Sequence, residues 1–201
     1  AGDGVMEFGL RRAQGPDAGL YGARAAMIGG CIGTSNVLAG QMFDVPVKGT
    51  HAHSWIMSFA DEYTAFKTYA KLYPDACCLL VDTYDTLKSG VPNAIKVFTE
   101  MRESGIELHN YGIRLDSGDL AYLSKKARKM LDEAGFEDAF ISASNDLDEY
   151  LIHDLKIQGA AITSWGVGTN LITSKDCPSF GGVYKLAAIQ KEDGKFHSKI
   201  K

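Results

Sequence analysis

The chain has 201 residues, of which 45% are hydrophobic and 23% are charged, the balance of a soluble globular protein with enough apolar residues for a core. Its net charge of -4 argues against a nucleic-acid partner, and no apolar run is long enough to span a bilayer. We therefore expect one domain over residues 1–201, no membrane partner and a cytoplasmic location, since the N-terminus lacks a signal-peptide pattern.

Helical and strand patterns alternate along the chain. A helix is predicted over 17–30, and GTSNVLAG at 33–40 is a turn that enters another short helical segment. Short apolar runs predict strands at 45–47, 76–81, 111–115, 139–143 and 160–165. Amphipathic helices are predicted over 55–73, from 91 to the glycine at 105, and from 120 to the glycine at 135. Segments 183–189 and 196–200 flank EDG and predict a hairpin.

Strands that alternate with helices in this way are typical of right-handed parallel crossovers, which build either an open doubly wound sheet or a barrel. The barrel is favoured because polar and glycine residues follow several of the predicted strands, where a barrel gathers its active site. These residues are Thr50, His53, Asp82, Asp85, Arg114, Asp116, Ser144, Asn145, Gly166, Gly168 and Thr169. The strands are too few for a complete barrel, so the predicted fold class is α/β, an incomplete (β/α) barrel.

The residue types at these strand ends suggest a phosphorylated sugar bound together with a metal ion. Glycine turns present backbone N–H groups to phosphate, and carboxylates bind Mg²⁺ or ribose hydroxyls. The His-x-His pair, His51 and His53, also allows a metal-dependent amidohydrolase. That site needs further histidines at later strand ends, and the remaining three lie elsewhere. The role of a single imidazole beside a phosphate site is then proton transfer, attack on phosphorus, or simple helix capping.

Several ordered sequence blocks resemble the nicotinate phosphoribosyltransferase family. They are EFGLRRAQG (7–15), GTSNVLAG (33–40), GTHAHS (49–54), LLVDTYDT (79–86), SGVPNAI (89–95), GIRLDSGDL (112–120), WGVGTNLIT (165–173) and FGGVYKL (180–186). The resemblance implies an incomplete α/β barrel of the type II phosphoribosyltransferases. It also implies synthesis of nicotinate mononucleotide and pyrophosphate from nicotinate and phosphoribosyl pyrophosphate, with Mg²⁺, coupled to ATP hydrolysis, in the salvage branch of NAD biosynthesis. A homodimer is the expected assembly.

The resemblance also assigns roles to residues. The pattern G-T-x-A-H-S places a phosphorylated catalytic histidine at His53 and leaves His51 a structural role, while Asp82 and Asp116 are catalytic carboxylates that contact ribose hydroxyls and a metal. The implied substrate-binding residues are Phe8, Arg11, Ser35, Thr50, Arg114, Ser144, Asn145, Gly168, Thr169, Gly181 and Gly182.

Four of these assignments carry a specific chemical meaning. Phe8 is expected to stack on the pyridine ring, Arg114 to meet the nicotinate carboxylate, and Arg11 to lie near the phosphates. Ser35 stands where the related nicotinamide enzymes carry an aspartate, so its hydroxyl favours the acid over the amide.

The chain is shorter than members of this family, which extend beyond it at both ends. We therefore expect these residues to represent the barrel core, without the N-terminal region that supplies a substrate-contacting tyrosine across the dimer. A catalytically silent fragment or paralogue with the same fold is the alternative.

Overall fold

The computed structural model describes residues 2–179 and 187–198. Six parallel strands form one sheet, which is curled into a half-barrel with helices. They are β1 (Gly4–Glu7), β2 (Gly33–Thr34), β3 (Cys78–Leu80), β4 (Gly112–Leu115), β5 (Phe140–Ala143) and β6 (Ser164–Val167). Their order across the sheet is β2-β1-β6-β5-β4-β3. The predicted incomplete α/β barrel is confirmed.

The helices in the described residues occupy the connections between strands. They are α1 (Pro16–Ile28), α2 (Val37–Phe43), α3 (His53–Met57), α4 (Glu62–Leu72), α5 (Val91–Glu103), α6 (Leu120–Glu133), α7 (Glu149–Ile157) and α8 (Thr169–Ile172), with a short π-helix at Thr86–Gly90. Several begin at a side-chain oxygen that accepts a backbone N–H of the first turn, the usual way to satisfy that group. These N-caps are Asn36, Asp61, Asp119 and Asp148.

The main hydrophobic core joins the strands to the apolar faces of α4, α5 and α6. Leu79 and Ile113 of the sheet are fully buried in this cluster, as are Phe66 of α4 and Phe98 of α5. Phe98 also meets Phe136 in an edge-to-face contact, with ring centroids 5.8 Å apart. The helices of this core all lie between consecutive strands. Their packing against the sheet therefore fixes the position of each strand end and of the polar residues that follow it.

The strand predicted at 45–47 is wrong. Val47 makes only an isolated parallel bridge to Thr34 of β2. The backbone nitrogen of Thr34 donates to the Pro46 carbonyl at 3.0 Å, and that of Lys48 donates to the Thr34 carbonyl at 2.9 Å. Pro46 has no N–H to extend this pairing, and β2 is itself only two residues long.

Other predicted boundaries also changed. The helix predicted over 55–73 is two helices, because Asp61 accepts from the Thr64 backbone nitrogen at 2.7 Å and starts α4 anew. The strand predicted at 160–165 begins later, since Ala160 instead donates to the Leu155 carbonyl at the end of α7. β1 and β2 were not predicted.

The predicted hairpin is confirmed where it can be seen. β7 (Ala188–Gln190) pairs antiparallel with β8 (Phe196–Ser198). Residues 183–186 of the first predicted strand and 199–200 of the second lie outside the described residues. None of the helices among the described residues is both long and apolar enough to pass through a membrane.

Gly90 is the position where the fold leaves least room for a side chain. A Cβ atom there would lie 1.8 Å from the Val81 carbonyl oxygen, a backbone atom at the end of β3. We expect Gly90→Ala to lower the free energy of unfolding by about 1–3 kcal/mol, because backbone must move to relieve the clash. Urea unfolding of Gly49→Ala is the control, since a Cβ at Gly49 meets nothing within 4 Å. Equal midpoints for the two variants would contradict the prediction.

Candidate active site

A cavity of about 560 Å³ lies at the carboxyl ends of the parallel strands. It is lined by the turns that follow β1, β2, β4, β5 and β6 and by the segment that leads into α3. Among its lining residues are Phe8, Arg11, Ser35, Thr50, His53, Arg114, Asp116, Ser144, Asn145, Gly168 and Thr169. The structure therefore brings together the described residues that the sequence assigned to the site, except Asp82 and Asp85. Asp85 instead caps the π-helix, where its carboxylate accepts from the backbone nitrogens of Leu87 and Lys88. Gly181 and Gly182 lie outside the described residues.

Arg114 is the central side chain of this cavity and is largely shielded from solvent, with 16% of the side chain exposed. Its Nη1 donates to Thr50 Oγ1 at 2.8 Å, its Nε to Ser144 Oγ at 2.9 Å and its Nη2 to Asp116 Oδ1 at 3.0 Å. A guanidinium has more N–H groups than these three bonds use. Arg114 therefore ties together three turns and keeps donors for an anionic ligand.

His53 begins α3 and is held by polar groups on both sides of its ring. Nδ1 lies 3.0 Å from Thr83 Oγ1, and Nε2 lies 3.4 Å from Asp116 Oδ2. An ionised carboxylate only accepts, so Nε2 carries the proton and the Thr83 hydroxyl donates to Nδ1. In the neutral tautomer with the proton on Nε2, the lone pair is on Nδ1.

The Asp116 carboxyl stays ionised despite partial burial. Burial opposes its ionisation, but hydrogen bonds from Ser144 and Arg114, together with the Arg114 charge, outweigh that effect and hold the pKa of Asp116 below its ordinary value. Asp116 is thus a fixed negative charge between the guanidinium and the imidazole.

Asp82 lies behind Asp116 and does not line the cavity. Its Oδ2 accepts from the Asp116 backbone nitrogen at 2.9 Å and from Ser117 Oγ at 2.5 Å. Its Oδ1 is buried and has no hydrogen-bond partner. Asp82 therefore orients the turn after β4.

His51 is buried, with 7% of its surface exposed, and packs edge-on against the Tyr69 ring at 4.6 Å between centroids. Its Nε2 accepts from the backbone nitrogen of Leu80, on the outer edge of β3, at 3.2 Å. Burial lowers the pKa of His51 to about 4, so the ring is neutral at pH 7. This bond fastens the segment that carries Thr50 and His53 to β3.

Phe8 and Ser35 approach the cavity from the turns after β1 and β2. Phe8 packs over Gly166 of β6, where a Cβ atom would come within 2.6 Å of the ring. The Arg114 guanidinium carbon lies 5.6 Å from the centroid of the same ring. Ser35 is exposed at the rim of the cavity, and its backbone nitrogen donates to the Glu7 carbonyl at 3.0 Å.

The turn after β5 adopts an unusual backbone conformation. Asn145 and Asp146 have φ angles of 94° and 44°, in the left-handed region that non-glycine residues seldom occupy. The Asn170 side chain supports this turn by donating to the carbonyls of Asp146 and Leu147 at 3.1 and 3.0 Å. Such strained turns concentrate at functional sites.

Three residues of the site were missed as functional residues by the sequence interpretation. Thr83 directly follows Asp82 in the block that resembles the family, so its position was a signal. Arg12 and Asp146, which line the cavity, adjoin Arg11 and Asn145. In each case the sequence interpretation chose the adjacent residue, Asp82, Arg11 or Asn145, because its chemistry was easier to interpret.

The described residues contain no group of three or more His, Cys, Asp or Glu side chains placed to hold a metal ion by themselves. Mg²⁺ in phosphate sites is commonly held by one or two carboxylates together with substrate phosphates and water. The Asp116 carboxylate, which lines the cavity, fits that more limited role.

The buried His51 predicts a pH-dependent stability. Its pKa is about 4 in the folded protein against 6.5 for an unperturbed histidine, so between these values the unfolded chain binds a proton that the folded chain does not. The free energy of unfolding should therefore fall as the pH drops from 6.5 to 4, by up to about 3 kcal/mol from this group.

Urea unfolding at several pH values tests this expectation. His51→Gln can still accept from the Leu80 amide but does not titrate, so it should show a weaker pH dependence than the wild type. His109→Gln is the control, because the His109 side chain is 61% exposed. Identical pH profiles for the wild type and His51→Gln would contradict the assignment.

Comparisons with known proteins identify the family of the chain. A model of the "Nicotinate phosphoribosyltransferase (NAPRTase) family" matches residues 4–195. Nicotinate phosphoribosyltransferase of Bacillus subtilis (strain 168) is 62% identical over all 201 residues, which span 40% of its length. The enzyme of the same name from Dictyostelium discoideum is 41% identical over 92% of the chain and 39% of its own length.

A solved structure shares the fold. The crystal structure of human nicotinic acid phosphoribosyltransferase superposes with a TM-score of 0.73 at 32% identity, covering 82% of this chain and 43% of the human one. The family match extends over nearly the whole chain, and the similar structure contains the same half-barrel. This chain belongs to the nicotinate phosphoribosyltransferase family.

Proposed function

We propose that this chain carries the active site of an enzyme that joins nicotinate to phosphoribosyl pyrophosphate, forming nicotinate mononucleotide and pyrophosphate for the salvage of NAD. One observation carries the proposal: in a member of this family, nearly all the described residues that the resemblance assigns to substrates line one cavity. The chain spans less than half the length of the relatives above, so the activity is proposed for the intact natural protein.

The base would bind beside Phe8, Ser35 and Arg114, which line the same cavity. The aromatic face of Phe8 suits stacking on a flat pyridine ring, and the free N–H groups of Arg114 suit the nicotinate carboxylate. Thr50 accepts a hydrogen bond from Arg114 and so helps to aim the guanidinium. This arrangement would present the pyridine nitrogen to the sugar.

The phosphoribosyl group would lie toward the turn after β6. Backbone amides and the hydroxyl at Gly168 and Thr169 suit the 5′-phosphate, and Arg11 suits the pyrophosphate. The pyridine nitrogen then attacks the anomeric carbon, and the bond from that carbon to pyrophosphate oxygen breaks. Positive charge develops on the ribose in this step, and the ionised Asp116 is placed to stabilise it.

A magnesium ion would be held by the Asp116 carboxylate, which lines the cavity, together with substrate oxygens. When bound, the ion supplies charge neutralisation for the pyrophosphate leaving group. Asp82 accepts from the backbone nitrogen of Asp116 and so keeps the catalytic carboxylate in place.

His53 would couple the reaction to ATP through a phosphohistidine. Its Nδ1 lone pair attacks the γ-phosphorus of ATP, the nitrogen–phosphorus bond forms, and the bond to ADP oxygen breaks. The Thr83 hydroxyl has to release Nδ1 for this step. Asp116 accepts from Nε2 and stabilises the positive charge that the ring gains. Phosphorylation is then expected to favour a state that binds the other substrates tightly.

An assay of pyrophosphate with nicotinate, phosphoribosyl pyrophosphate and Mg²⁺, with and without ATP, tests the proposal. The wild-type protein should release pyrophosphate only when both substrates are present, and faster with ATP. His53→Asn should keep the basal turnover and lose the stimulation by ATP, because asparagine cannot be phosphorylated on a ring nitrogen.

Three results would contradict the proposal at different levels. No pyrophosphate from the wild type would favour a catalytically silent paralogue. Zinc-dependent hydrolysis without pyrophosphate would favour the amidohydrolase. Stimulation by ATP retained in His53→Asn would exclude the phosphohistidine while leaving the transferase reaction intact. His153→Asn is the control, because that histidine is exposed on α7.

Ser35 should determine the choice between acid and amide. In Ser35→Asp a carboxylate would repel nicotinate and accept from the amide of nicotinamide. We expect the ratio of kcat/KM for nicotinate to that for nicotinamide to fall by at least about tenfold, because the introduced carboxylate repels the carboxylate of nicotinate. Ser35→Asn, which is uncharged, is the control and should change the ratio less. An unchanged ratio in Ser35→Asp would place the pyridine substituent elsewhere.

A further inference from the structure

Glu7, the last residue of β1, has a carboxyl group that is completely buried, with 0% of the residue exposed. Buried carboxyl groups are costly unless they are hydrogen-bonded. Both oxygens of Glu7 are used: Oε2 accepts from Thr34 Oγ1 at 2.5 Å, and Oε1 accepts from the backbone nitrogen of Gly9. This group does not line the cavity and has no part in the reaction described above.

The two hydrogen bonds join two separate turns of the candidate site. Gly9 immediately follows Phe8, and Thr34 immediately precedes Ser35. Thr34 Oγ1 also accepts from the backbone nitrogen of Asn36 at 3.0 Å, which fixes the start of α2. One carboxyl group therefore sets the position of the turn after β1 relative to the turn after β2.

The backbone at Gly9 supports the same conclusion. A Cβ atom at this position would come within 2.9 Å of Glu7 Oε1 and within 2.4 Å of the Ile172 Cβ. Glycine therefore lets the main chain lie close to both the Glu7 carboxyl and the Ile172 side chain of α8.

We propose that Glu7 is a positioning residue that sets the spacing between the Phe8 ring and the Ser35 hydroxyl, the two walls of the pocket for the pyridine base. This inference rests on the proposed function. Because the carboxyl contacts neither the sugar site nor His53, its effect should be confined to binding of the base.

Kinetics of the intact natural protein with Glu7→Gln tests this role. The amide can still accept from Gly9 but leaves the Thr34 hydroxyl proton without its acceptor. We expect the KM for nicotinate to rise about fivefold or more, the size of one lost hydrogen bond, while kcat and the KM for phosphoribosyl pyrophosphate change by less than about twofold. Phosphorylation of His53 by ATP should be unchanged.

Two further variants separate positioning from general destabilisation. Thr34→Val removes the hydroxyl donor and keeps the shape of the side chain, so it should also raise the KM for nicotinate. If Glu7→Gln does not fold, Thr34→Val alone tests the inference. Glu62→Gln is the matched control: Glu62 is 4% exposed, accepts from Asn93 Nδ2 at 3.1 Å and does not line the cavity. It should leave the KM for nicotinate unchanged.

The outcomes are distinguishable. An active wild type whose Glu7→Gln and Thr34→Val variants keep the normal KM for nicotinate would overturn the inference alone. Equal losses in Glu7→Gln and Glu62→Gln, or equal rises in both substrate KM values, would also overturn it by showing a merely structural role. A wild type without transferase activity would overturn the proposed function, and the inference with it.

Discussion

The arrangement of the candidate site depends on the hydrogen bonds of Arg114. This side chain extends from β4 and binds Thr50, Ser144 and Asp116, which belong to turns far apart in sequence. A planar guanidinium imposes fixed directions on its partners, so three separate turns acquire defined positions around one charge. The low pKa of Asp116 follows from the same contacts, because the group that orders the turns also keeps this carboxylate ionised.

The half-barrel creates a second constraint, because its sheet has two edges. β3 forms one edge, and the segment that leads to α3 has to cross toward it if His53 is to face Asp116 and Thr83. His51 makes that connection by accepting from the backbone of β3. The neutral, buried imidazole accepts a hydrogen bond from the Leu80 N–H, which faces away from β4 at the edge of the sheet. The His-x-His motif thus combines one residue that fixes the segment with one that faces the cavity.

The core elements were predictable from local pattern, and the exceptions have physical causes. β3, β4 and β5 were found because each is a buried apolar run between helices with a clear stripe, as in α5 and α6. The helix over 55–73 was predicted whole because apolar spacing continues through the break that Asp61 imposes. β1 and β2 were missed because their sequences, GVME and GT, are not apolar runs, and their pairing with β6 and each other is decided by distant residues.

The sequence by itself determined the chemical types available at the strand ends, and its blocks determined the family. It also indicated that these residues would meet, since parallel strands end on one side of a barrel. Only the tertiary structure decided the partners: Thr83 for His53, the Asp116 backbone for Asp82, and Glu7 between the turns that carry Phe8 and Ser35. The physical reason is that hydrogen bonds depend on the distance and direction between residues that can be far apart in the chain, 64 positions for Thr50 and Arg114, and no local periodicity encodes these.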